Sequence, residues 1–142
     1  MVGGQLKSRR RTTDFDIIPV QSFREPIVWQ KSMGLVRSVY ELSKKFPSEE
    51  RFGLASQIRR AVVSIPSNIA EGQGRNSTKE FLRHLSISYG SLMETETQIL
   101  IAEMQMYVTA QESEALILKS AEIGRMINGL VQSLERKIYS SD

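Results

Sequence analysis

Between Ala55 and Ile69, apolar residues recur at steps of three, four, three and four: Ala55, Ile58, Val62, Ile65 and Ile69. This period puts all five side chains on one seam of a helix, whereas a strand needs alternation at every second residue. Pro66 falls inside the repeat. It has no N–H, and its ring presses on the carbonyl of Val62, so a bend is expected there. The heptad carries on to Ile69, so the stretch reads as one kinked helix. Gly72 and Gly74 follow as its stop, in the left-handed conformation that ends many helices.

Three further helices can be placed around this one. Helix 1 is predicted from about Arg24 to Phe46, with Ser22 as an N-cap and Pro26 in the first turn. Val28, Leu35, Val39, Leu42 and Phe46 form its seam, and Trp29, Met33, Val36 and Tyr40 form a second stripe. Together the stripes span about 160°, more than a bundle helix needs for its own core. Lys44 and Lys45 suit the last turn, where the helix dipole favours cations. Pro47-Ser48-Glu49-Glu50 opens helix 2, with Val63 and Ala70 lying off its main seam.

Ser77-Thr78-Lys79-Glu80 is a capping box that opens helix 3, expected to run to about Met106. Leu85, Leu92, Ile99 and Met106 repeat every seven residues, flanked by Ser88, Thr95, Ala102 and Gly90, small enough for a close helix approach. Thr109-Ala110-Gln111-Glu112 is a second capping box. It opens helix 4, which runs to about Tyr139 on a seam of Leu116, Ile123, Ile127, Leu130 and Leu134. Short connections make sequential helices antiparallel neighbours, so the expected fold is an all-α, up-down-up-down four-helix bundle. It occupies residues 23–142 after a disordered basic arm at 1–22. The surplus apolar stripes on helix 1 and on helix 4 (Ile117, Ala121, Gly124, Val131 and Ile138), with a hint on helix 2, point to self-association; a generously packed monomer core is the alternative.

The chain has 142 residues, one domain's length, and no apolar run near 18 residues. It has no apolar segment of the kind a secretory signal needs. With no cysteine, disulfides and thiolate metal sites are excluded, which fits a cytoplasmic setting. Net charge is +3, unevenly spread: residues 1–75 carry thirteen basic and seven acidic groups, residues 76–142 six and nine. Either one side faces a polyanion, or helices of opposite charge pack beside each other.

Catalytic chemistry finds little support. His84 is the one histidine and is preceded three residues earlier by Phe81, so the paired Glu-x-x-His motifs of a di-iron bundle are missing. His84 reads as a surface partner of Glu80. The glycines at 72 and 74 follow a helix, whereas phosphate loops precede one. Asn68 and Glu71 share a face next to Pro66. Glu71 can be a general acid or base, but a structural role is favoured: satisfying backbone at the bend, or pairing with Arg75. Glu96 and Glu103 are placed to meet Arg59 or Arg60. No cofactor or metal is expected.

Five segments nevertheless resemble a known family. They are Phe23-Arg-Glu-Pro-Ile-Val-Trp-Gln-Lys31, Phe46-Pro47, Gln57-Ile-Arg-Arg60, Ser64-Ile-Pro-Ser-Asn-Ile-Ala-Glu-Gly72 and Tyr89-Gly-Ser-Leu-Met-Glu-Thr-Glu96. In order and spacing they are similar to the bacterial four-helix-bundle proteins encoded in ribosomal-RNA intervening sequences, over about Phe23 to Ile138. Pro66, Asn68, Glu71, Gly72 and Gly90 stand in those segments as structural motif positions. The resemblance implies a homopentamer. It also implies kinship with the accessory protein of diversity-generating retroelements, which binds nucleic acid and a reverse transcriptase.

The expected function is therefore a non-enzymatic oligomeric scaffold or accessory factor that binds RNA or DNA backbones. Arg59, Arg60, Lys44, Lys45, Arg51, Arg75 and the arm residues Arg9, Arg10 and Arg11 would neutralise phosphates. The alternative is a protein–protein adaptor, for example one that binds a reverse transcriptase without touching nucleic acid. No membrane partner is expected.

Overall fold

The computed structural model describes residues 26–140. Within them lie four α-helices and no strand: α1 (Ile27–Ser43), α2 (Leu54–Gln73), α3 (Thr78–Met104) and α4 (Ala110–Ser140). A short 3-10 turn, Ser48–Glu50, precedes α2. Each helix packs on two others, α1 on α2, α2 on α3, α3 on α4 and α4 on α1, with α2–α3 the most extensive contact. The result is a four-helix bundle around one core. The predicted arm at residues 1–22, with Arg9, Arg10 and Arg11, lies outside the described residues.

The seams read from sequence supply most of that core. Leu35 and Val39 of α1, Ile58, Val62, Ile65 and Ile69 of α2, Leu85, Leu92 and Ile99 of α3, and Ile123 and Ile127 of α4 are all essentially inaccessible. Polar members of the seams are satisfied locally or across a helix pair. Ser32 Oγ donates to the Val28 carbonyl at 2.7 Å, and Ser88 Oγ to the Ile65 carbonyl of α2 at 2.9 Å. Small residues at 88 and 95 let α2 and α3 approach closely, which is why this pair dominates.

Several boundaries differ from expectation. Helix 2 does not begin at Pro47: the chain makes the 3-10 turn, then a turn through Gly53, and α2 starts at Leu54. The cause is Glu50, whose Oε1 accepts from the Leu54 N–H at 2.8 Å and so caps α2 from outside it. Lys44 and Lys45 lie just beyond α1 and not in its last turn. α2 continues through Pro66 to Gln73, so Gly72 is helical and Gly74, with φ −76°, is its right-handed C-cap. Neither glycine is left-handed. α3 ends at Met104, and Met106 is 87% exposed at φ 63°, so it is not the fourth member of the seam.

Candidate functional site

The resemblance motif around Pro66 builds a polar cluster where α2 meets α3. Asn68 Nδ2 donates to the Ser64 carbonyl at 2.9 Å and to Ser64 Oγ at 3.0 Å, one helical turn back. That fixes Asn68 Oδ1 as an acceptor, and it lies 3.0 Å from His84 Nδ1, which must therefore carry the proton. Nε2 is then free to accept from Arg83 Nη2 at 3.3 Å. Gly72 makes room for this arrangement: a Cβ there would stand 2.6 Å from His84 Cβ and 3.0 Å from Phe81 Cδ1.

His84 is thus not a surface partner of Glu80. It is 3% exposed, and Glu80 pairs with Arg83. Glu80 does not reach back to Ser77, so only one half of that capping box forms, the Glu80 N–H donating to Ser77 Oγ at 3.2 Å. Glu71 pairs with Arg75 at 2.9 Å and stands 3.9 Å from His84 Nε2. The hydrogen bond from Arg75 holds its carboxyl below the ordinary glutamate value, and the Arg83 charge adds to the effect. A carboxylate so held is a poor general base. Among the described residues no group of three His, Asp or Glu side chains could hold a metal ion.

Most of the predicted phosphate-binding cations already have partners within the bundle. Lys44 pairs with Glu41 at 3.0 Å, Lys45 with Glu112, and Arg75 with Glu71. Arg59 lies flat on α1, its Nε donating to Ser43 Oγ at 2.8 Å and its guanidinium 5.1 Å over the Tyr40 ring. Arg51 stands 5.6 Å over Phe52. Arg60 is exposed and has no ion pair among the described residues. The charge asymmetry is partly absorbed by packing, since Lys31–Glu122 and Lys45–Glu112 each join the basic half to the acidic half. Glu96 does not meet Arg59 or Arg60; its carboxylate accepts from Ser120 of α4 at 2.5 Å.

Two grooves flank α2. Toward α1 an apolar one of about 350 Å³ is lined by Trp29, Met33, Val36, Val63, Pro66 and Ala70, the second stripes of both helices. Toward α3 a polar one of about 540 Å³ includes Gln57, Arg60, Ser64, Ser91 and Glu94, with Phe52 at its edge. Sequence reasoning missed Phe52, an isolated position that no periodicity marks; Gln57, Ser91 and Glu94 stand in the segments that carry the family resemblance, but no binding role was read for them. Gly90, expected at a close approach, faces open space. Among the described residues no helix is long and apolar enough to cross a membrane.

The family described as 23S rRNA-intervening sequence protein matches residues 24–129. A crystal structure of a protein of unknown function from the S23 ribosomal protein family of Bacteroides thetaiotaomicron superposes with a TM-score of 0.69 at 26% identity. The match covers 73% of this chain and 97% of that one. No curated protein matches.

Proposed function

The chain belongs to the family of 23S rRNA-intervening sequence proteins, and from that premise we propose a non-enzymatic, cytoplasmic, oligomeric scaffold that holds RNA or DNA by its backbone. The observation that carries this reading is the division of α2 into two outward edges. One is apolar, where Val63, Pro66 and Ala70 meet Trp29, Met33 and Val36 of α1. The other carries Arg60, exposed and without a carboxylate partner among the described residues. The first edge suits a second copy of the chain; the second suits a phosphate.

The helices are read as antiparallel neighbours in up-down-up-down order. Pairs such as Ser64–Ser91 and Asn68–His84, in which one number rises as the other falls, support that order. Five copies around an axis is the assembly that the family resemblance implies, and apolar edges on both α1 and α2 fit it.

Sedimentation of the purified chain is expected to give a mass near five subunits. Val63→Glu, at an exposed position, is expected to release monomers without unfolding them. Binding of a labelled RNA or DNA is expected at low salt and to fall steeply as salt rises, because each neutralised phosphate releases counterions. Arg60→Ala is expected to flatten that slope by about one ion. A monomer at high concentration would refute the assembly, and no binding at low salt would refute the scaffold.

A further inference from the structure

We infer that the polar groove between α2 and α3 seats one unpaired nucleotide of a single strand, its base on Phe52 and its phosphate at Arg60. This rests on the nucleic-acid reading above and narrows it to a site. A volume of about 540 Å³ is within the range of small-molecule pockets.

Phe52 is the first ground. It is 87% exposed, so the ring contributes nothing to the core, yet the turn that carries it is fastened on both sides. Glu50 Oε1 accepts from the Leu54 N–H at 2.8 Å, and Glu50 Oε2 accepts from the Tyr107 hydroxyl at 2.8 Å. Gly53 allows that carboxylate to fold back, since a Cβ there would stand 2.6 Å from Glu50 Oε1. Arg51 lies over the ring at 5.6 Å, adding a cation beside a flat stacking surface.

The lining is the second ground, because it does not suit a bare anion. Glu94 would repel one, and Gln57 Oε1 and the Glu94 carboxylate are acceptors. Gln98, only 6% exposed, holds both: its Nε2 donates to Gln57 Oε1 at 3.5 Å and to Glu94 Oε2 at 3.3 Å. Its own Oε1 is buried with no donor. Ser64 and Ser91, joined at 2.8 Å, can donate or accept. A ligand that fits brings N–H or O–H donors, an aromatic face and one negative charge. A nucleotide has all three, its donors being base amino groups or ribose hydroxyls. In a duplex the base faces are covered and Phe52 has nothing to stack on.

The test measures fluorescence anisotropy of the full chain with a labelled single-stranded RNA, a DNA of the same sequence, and the corresponding duplex. Phe52→Ala is expected to weaken single-strand binding about 5- to 150-fold, the range of one base–aromatic stack, and to leave duplex binding and the salt slope unchanged. Phe52→Trp is expected to restore it. Tighter binding of the RNA strand would assign the acceptors to the ribose 2′-hydroxyl, equal binding to the base edge. If Phe52→Ala binds like the wild type, or Phe52→Trp as weakly as Phe52→Ala, the nucleotide seat is overturned and the backbone-binding scaffold stands. If no strand binds at low salt, both readings fall. A change of mass on sedimentation of Phe52→Ala overturns the seat by making the ring an assembly contact.

Discussion

A methyl group at position 72 has nowhere to go. The atom it would strike is a Cβ of α3, so relief requires one helix to move, and overpacking of this kind costs about 1–3 kcal/mol. Gly72→Ala is expected to lower the thermal midpoint accordingly. Gly90→Ala is the contrasting case: space is open, the backbone is helical, and a gain of about 0.5–1 kcal/mol is expected by calorimetry. Asn68→Ala would leave a buried His84 N–H without its acceptor, for a loss of about 1–3 kcal/mol in denaturant titration. The importance of Asn68 and Gly72 was legible from the motif that contains them. Their partner was not, because His84 lies sixteen residues away and has only Phe81 and Glu80 as readable neighbours.

At the scale of elements, apolar spacing identified the helices and their buried seams, and failed where chain ends are set by side-chain hydrogen bonds. The start of α2 depends on Glu50, a residue that looks from sequence like a first-turn helix acid. The end of α3 carries no glycine. Met106 takes the left-handed conformation there, which costs an L-residue about 1–2 kcal/mol. Met106→Gly is therefore expected to raise the unfolding midpoint. The two capping boxes also part company. At Thr109 both halves form, with the Thr109 N–H on Glu112 Oε1 at 2.9 Å and the Glu112 N–H on Thr109 Oγ1 at 3.0 Å. Thr109→Ala is expected to cost about 1 kcal/mol, and Ser77→Ala less, as read by equilibrium unfolding.

For the molecule as a whole, acid is the informative variable. Glu50, Glu71 and Glu112 are all held below the ordinary glutamate value. The first cause is the Leu54 N–H for Glu50, Arg75 for Glu71 and Lys45 for Glu112. Groups lowered in this way add stability above their unfolded values and lose it as pH falls through the folded ones. Thermal scans are expected to be flat near neutrality and to decline only in acid, below the usual glutamate range.

Glu50 has one consequence that reaches across the bundle. The same carboxylate holds the entry to α2 and, through Tyr107, the connection from α3 to α4, where Tyr107 also packs at a tilt against Phe46, 5.6 Å between ring centres. Two crossings far apart along the chain are thereby fastened with one pin. They should breathe as a single unit: amide deuteration at Leu54 ought to speed up when Tyr107 loses its hydroxyl, although that change lies more than fifty residues downstream.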